Sequence, residues 1–188
     1  MPVSRTGLAT KSRRHGGADL YYTGVGARKL PKCEVPRLRH VARVLESRGW
    51  LLRSGGAYGS DAAFESGVLD SNNTEIYLPK PGYNGHPSAL HTVGADALAL
   101  AKRFHTHWHK LDEFGQLAAG RNCYQVLGAD LQTPSTFVAC WTPHARVVGG
   151  TGFTIRLALA HTIPVFNFAA AGTGQKLSTF LMHNPVAR

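Results

Sequence analysis

The chain of 188 residues is poor in cysteine, in acidic side chains and in long apolar runs. Cys33, Cys123 and Cys140 stand far apart, with no CxxC pair among them. An odd, scattered set excludes a disulfide framework and gives no support to a structural zinc site, so a reducing, cytoplasmic setting is expected. No apolar stretch approaches the ~20 residues needed to span a bilayer, and no signal-like apolar segment follows Met1, so no membrane partner is expected. GxxxxGK[ST] is missing, which argues against a Walker-type NTPase. Acids number 11 against 21 Lys and Arg, for a formal net charge of +10.

That charge is unevenly placed. Residues 1–53 hold 12 of the basic side chains and only Asp19, Glu34 and Glu46 as acids, a net +9; residues 54–188 hold nine bases against eight acids, a net +1. Such asymmetry points to a polyanionic partner, nucleic acid first. Arg13 and Arg14 in the tail, with Arg39 and Arg43 one helical turn apart further on, are the candidate nucleic-acid contacts. A basic tail that only solvates the chain, and a transit peptide over 1–18, are the other readings of the same residues. A hydrophobic content of 43% is enough for one core.

Past a basic extension over 1–18, strands alternate with helices to the end of the chain. Strands are expected over 20–23, 50–53, 75–78, 137–141 and 163–168. Helices are expected from Pro36 to Gly49, then over 61–68, 95–104, 113–127, 149–161 and 174–182. Pro36 fits a first helical turn, and Leu38, Val41, Ala42 and Leu45 make one apolar face. The strands are continuous Leu/Val/Ile/Phe runs rather than alternating ones, the pattern of a parallel sheet covered on both faces. Residues 19–188 are therefore read as one α/β, Rossmann-like domain with five or more mainly parallel strands. In such a sheet, ligands bind beyond the carboxyl ends of the strands, where the strand order reverses.

Three glycine-rich segments fall at predicted strand ends. Gly24 and Gly26, followed by Arg28, form the first. Ser54, Gly55, Gly56, Gly59 and Ser60 form the second, and Gly149, Gly150, Thr151 and Gly152 the third. Glycines there let backbone N–H groups close on an anion at a helix N-terminus. Three such turns point to a phosphate-bearing ligand, although tight α/β turns need glycine in any case. The first is not GxGxxG, which disfavours a full dinucleotide site. Thr151 and Thr154 could give hydroxyls to a phosphate. Arg156, expected in the first turn of the helix that follows the third segment, would oppose the macrodipole unless an anion joined it or the side chain pointed into solvent.

These segments, with Leu52-Arg53-Ser54-Gly55-Gly56-Ala57-Tyr58-Gly59-Ser60-Asp61-Ala62-Ala63-Phe64-Glu65 as the longest, resemble the SLOG superfamily. That group holds DprA-like recombination mediators, YpsA-like proteins and LOG phosphoribohydrolases. Arg121-Asn122-Cys123-Tyr124-Gln125-Val126-Leu127-Gly128 and Cys140-Trp141-Thr142 look like small DprA-like proteins of phages and bacteria. The likeness runs over about residues 19–168. In LOG enzymes a PGGxGTxxE block binds phosphate and supplies a catalytic glutamate. Here Val148 replaces the proline, Phe153 stands where Thr is expected, and Ile155 and Arg156 occupy the region of the glutamate. The phosphate-cradle half thus carries over to Gly149, Gly150, Thr151 and Gly152, and the catalytic half does not. The DprA likeness implies a nucleotide-like cleft adapted to single-stranded DNA.

Asp61 and Glu65 sit at i, i+4, on one face of a helix that starts from the second glycine segment. Both are candidate catalytic carboxylates for N-glycosidic cleavage; Asp61 also suits a helix start, and Glu65 a plain surface acid. The resemblance places Arg121, Asn122 and Gln125 near the cleft, where they could clamp a phosphate or read a base edge. Trp141 could stack on a base or pack in the core. His105, His107 and His109 form an HxHxH run without cysteine support, so no metal is expected. The leading expectation is a nucleotide-like ligand with its phosphate on 149–152 and its sugar near 54–65, held by a sensor or an N-glycosidase. The alternative is a DprA-like binder of single-stranded DNA, and a third reading is a structural protein docked by its tail. No cofactor is expected, and homo-oligomers stay open.

Overall fold

The computed structural model describes residues 20–184. Its strands are β1 (Tyr21–Gly26), β2 (Leu51–Ser54), β3 (Thr74–Ile76), β4 (Phe137–Trp141) and β5 (Val165–Asn167). The helices are α1 (Val35–Ser47), α2 (Ser60–Glu65), α3 (Ala95–Phe104), α4 (Glu113–Leu127), α5 (Gly149–Ala160) and α6 (Thr173–His183). All strand pairs are parallel, in the order β3-β2-β1-β4-β5. This is the expected Rossmann-like α/β architecture, with the order reversing between β1 and β4.

Both faces of the sheet are covered, which is why the strands carry apolar side chains on both sides. One face packs Leu38, Ala42 and Leu45 of α1, Phe64 of α2 and Leu177 and Leu181 of α6 against Tyr22, Leu52 and Phe137. The other packs Ala97 and Ala101 of α3, Cys123 and Val126 of α4, and Phe153, Leu157 and Ala158 of α5 against Val25, Val138 and Cys140. Phe137 is fully buried, with the rings of Tyr22, Trp50, Phe166 and Phe180 all within 6 Å of its own.

Local chemistry sets the ends of the elements. The Asp112 carboxylate accepts from the Gly115 N–H at 2.7 Å and caps α4, while Gly128, at φ 79°, ends it. Pro36 occupies the first turn of α1. The expected ranges for α3, α4 and β4 agree with the observed ones. β1 does not end at residue 23: it runs on through Gly24 to Gly26, paired with Ala139 and Trp141 of β4. The first glycine segment is therefore strand rather than loop. A methyl at Gly24 would strike Leu52 and Phe64, so this glycine lets α2 close on the sheet.

One buried arginine is fully accounted for by the fold. Arg53, 3% exposed, pairs with Glu75 at 2.7 Å, donates to the Thr133 carbonyl and stacks on the Tyr21 ring at 3.6 Å. Part of the amino-terminal charge excess is thus structural.

Candidate functional site

Beyond the carboxyl ends of β1 and β4 lies a cleft of about 500 Å³. Val25 to Arg28 line it from β1, and Thr142 and Pro143 from the end of β4. Ala57 and Asp61 border it on the β2 side, and Gly149, Gly150, Thr151, Phe153 and Thr154 on the α5 side. Leu111, Phe114 and Ala118 supply apolar surface from the start of α4, whose next turns bring in Arg121, Asn122 and Gln125.

Those three residues carry a row of polar contacts from one border to the other. Arg121 Nη1 lies 3.7 Å from Asp61 Oδ2, both side chains being almost wholly buried. The Gln125 amide is oriented by its neighbours. Its oxygen accepts from Arg121 Nη1 at 3.1 Å and from the Gly55 N–H at 2.8 Å, and its nitrogen donates to Asn122 Oδ1 at 2.9 Å. The Asn122 amide nitrogen in turn donates to the Gly150 carbonyl at 3.4 Å. Unlike Arg53, Arg121 is left short of partners: its buried Nε has none among the described residues. An unpaired donor on a buried cation is costly.

The α5 terminus adds further donors. Its first intrahelical bond runs from the Gly152 N–H to the Val148 carbonyl, so the N–H groups of Gly149, Gly150 and Thr151 precede the ladder, and these three residues line the cleft. With the macrodipole they favour an anion. Open space surrounds Gly149, at φ 64°, and Gly150 meets little besides the Asn122 amide. Thr154 Oγ1 already donates to the Gly150 carbonyl at 3.2 Å.

Burial pushes the Asp61 carboxyl up to about 6, against the pull of Arg121 and of the Gly26, Ala57 and Gly55 N–H groups. The Gly26 N–H donates to Asp61 Oδ1 at 3.2 Å, so it is occupied by protein. Burial likewise lowers Arg121, with Asp61 opposing the shift. An unfolded aspartate titrates near 3.8. Between that value and about 6 the folded protein therefore holds the extra proton, and stability falls as pH rises through this window. The expected loss is about 3 kcal/mol for a shift of this size. Asp61→Asn should remove this slope; urea unfolding of both proteins at pH 4.5 and 7 reads the difference, and equal slopes would refute the assignment.

Other expected site residues lie elsewhere. Glu65 is not part of the lining: its Oε1 sits 2.7 Å from His86 Nε2, on the segment after β3 that folds back over α2. The Asp61/Glu65 pair is split, and Asp61 is the single carboxyl that borders the cleft among the described residues. In the second glycine segment only Ala57 and Asp61 reach the lining. Ser54 donates to the Gly24 carbonyl and Ser60 to that of Ala27. A methyl at Gly55 would fall inside the Arg121 guanidinium, one at Gly56 would press on Leu78, and one at Gly59 would strike the Ala27 and Arg28 backbone. These glycines serve packing.

Trp141 packs in the core beside α2 and α6. Arg156 sits two turns inside α5, not in its first turn, because the helix starts at Gly149; its charge is felt by His105. Gly152 packs on Val147. Arg39 and Arg43 donate to Ser66 Oγ and the Gly67 carbonyl, behind α2 and away from the cleft. Arg13 and Arg14 lie outside the described residues. Sequence reasoning missed Leu111, Phe114, Ala118 and Pro143, which no motif spacing marks; the link between α3 and α4 carries Leu111 into place, and the first turns of α4 carry Phe114 and Ala118.

No family model matches the chain, and no curated protein matches it. Among solved structures the chain is similar to DNA processing protein A from Helicobacter pylori, described for its single-stranded DNA binding mode. Identity is 17%, the TM-score is 0.47, and the match covers 86% of this chain and 73% of that chain.

Proposed function

We propose that the cleft binds a nucleotide unit by its phosphate. The observation that carries this reading is the buried Arg121, with its unpartnered Nε, in the same cleft as the three N–H groups that α5 leaves free. The phosphate would sit at Gly149, Gly150 and Thr151 within reach of Arg121, and the base would lie along Leu111, Phe114 and Ala118. The sugar would lie toward Ala57 and Asp61. The reading is binding rather than turnover, since Glu65 is held by His86 and, among the described residues, a single carboxyl borders the cleft.

A second reading treats that nucleotide as one unit of a single-stranded DNA. Exposed Arg28, itself part of the lining, and Lys80, whose Nζ lies 5.6 Å from the ring centre of the lining residue Phe114, favour it. Titration calorimetry at low salt with dTMP, AMP and inorganic phosphate tests the first reading: saturable nucleotide binding that phosphate competes away is expected. Absence of binding by every nucleotide would sink it. An oligonucleotide should bind with an affinity that falls steeply with salt, as phosphate contacts release counterions.

A further inference from the structure

Strongly exposed large hydrophobic side chains among the described residues fall into two groups. Leu69, Leu159 and Met182 lie past or near the carboxyl ends of α2, α5 and α6, at the edge of the sheet away from the cleft. Tyr58, Val147 and Val148 are next to or part of the cleft lining: Tyr58 stands between the lining residue Ala57 and Gly59, which abuts the backbone of the lining residues Ala27 and Arg28, while Val147 precedes Val148, itself part of the lining.

Tyr58 is the aromatic member, with 63% of its surface exposed. Its backbone is firmly held. Ala57 is buried, Gly59 closes onto the Ala27 and Arg28 backbone, and the Ser60 N–H donates to the Ala27 carbonyl at 3.1 Å. A ring exposed on so fixed a segment loses little entropy when a second flat group covers it. Exposed Arg28 lines the cleft, and its backbone meets Gly59; Lys29 follows it in the chain, and exposed Arg146 precedes Val147. Aromatic faces beside a cationic groove are the features by which proteins hold single strands without reading sequence.

We infer that Tyr58 is a stacking platform for the base next to the nucleotide held in the cleft, so that the site takes single-stranded DNA across at least two units. The inference rests on the reading of the cleft as a nucleotide-phosphate site. A free mononucleotide fills the cleft and does not reach Tyr58. A strand does both, and its neighbouring phosphates meet the cations of the mouth.

The test compares dTMP with an oligo-dT of about eight nucleotides, a length within the span of one strand-binding groove, on the full chain. Tyr58→Ala should weaken the oligonucleotide by about 5- to 150-fold, the range for losing one stacked base. Its affinity for dTMP should stay within about twofold, below any stacking loss. Tyr58→Phe, which keeps the ring and drops the hydroxyl, should restore oligonucleotide binding. Unchanged oligonucleotide affinity in Tyr58→Ala, or a loss in Tyr58→Phe equal to that in Tyr58→Ala, would overturn the stacking role while leaving the cleft reading in place. If the wild-type chain binds neither probe, the cleft reading falls and the inference with it.

Discussion

Arg121→Ala should strongly weaken nucleotide binding and destabilise the protein, with the second effect dependent on pH. The guanidinium is 5% exposed and lies against Asp61, Gln125 and Gly55. Its removal leaves a buried carboxyl without its cation and a cavity under the second glycine segment. Breaking a buried pair in this way costs about 3 kcal/mol or more. At pH 7.5 that cost is felt in full. At pH 5 it shrinks, because Asp61, already raised to about 6 with the arginine present, then carries a proton and no longer needs a countercharge. Loss of a cation buried against the ligand should weaken dTMP by about 100-fold or more. Arg121→Lys keeps the charge but cannot reach Asp61 and Gln125 together, so it should recover stability better than binding. Urea unfolding at both pH values, paired with calorimetry, checks this. Unaltered dTMP affinity in a folded Arg121→Ala protein would remove the arginine from the site.

The second large effect separates glycines that pack from glycines that face the cleft. Gly59 combines φ 81° with ψ −116°, a conformation side chains rarely adopt, and an added methyl would collide with the Ala27 and Arg28 backbone. Neither neighbour can move without displacing the end of β1. Gly59→Ala should therefore cost about 3–5 kcal/mol, strain and overpacking combined. Gly149 also has a positive φ, of 64°, but faces open space, so Gly149→Ala should cost about 1 kcal/mol. Thermal melts of the two variants should differ by roughly 10 °C on the usual scaling for a chain of this size. Equal melting temperatures would contradict this division of the glycines.

The fold was legible because its signals are local. Phe137 to Trp141 is an apolar run of strand length between turn residues, and the span of α4 is marked by Asp112 at one end and Gly128 at the other. The site was less legible because the meaning of its residues is set across the chain. Gly55 looks like a phosphate-cradle glycine, yet its neighbour is an arginine from α4. Glu65 has the right helical spacing to act with Asp61, but the segment after β3 brings His86 to it, and no periodicity foretells that loop. Gly24 reads as a turn residue until α2 is seen leaning on it. Part of the basic excess is structural, since Arg53 is a core residue and Arg39 and Arg43 tie α1 to the end of α2. The third glycine segment differs, because an α-helix N-terminus leaves its first N–H groups outside the ladder wherever it lies.

The row from Gly55 through Arg121, Gln125 and Asn122 to Gly150 joins the two halves of the sheet where their order turns around. Since Gly55 and the Arg121 guanidinium compete for one volume, positions 55 and 121 are not free to drift separately. A descendant sequence with any side chain at 55 must shorten residue 121, and with it lose both the cation and the reason for glutamine at 125. Those three positions are expected to be inherited or replaced together, as a linked set that divides chains keeping this anion site from chains that have given the same cleft another use.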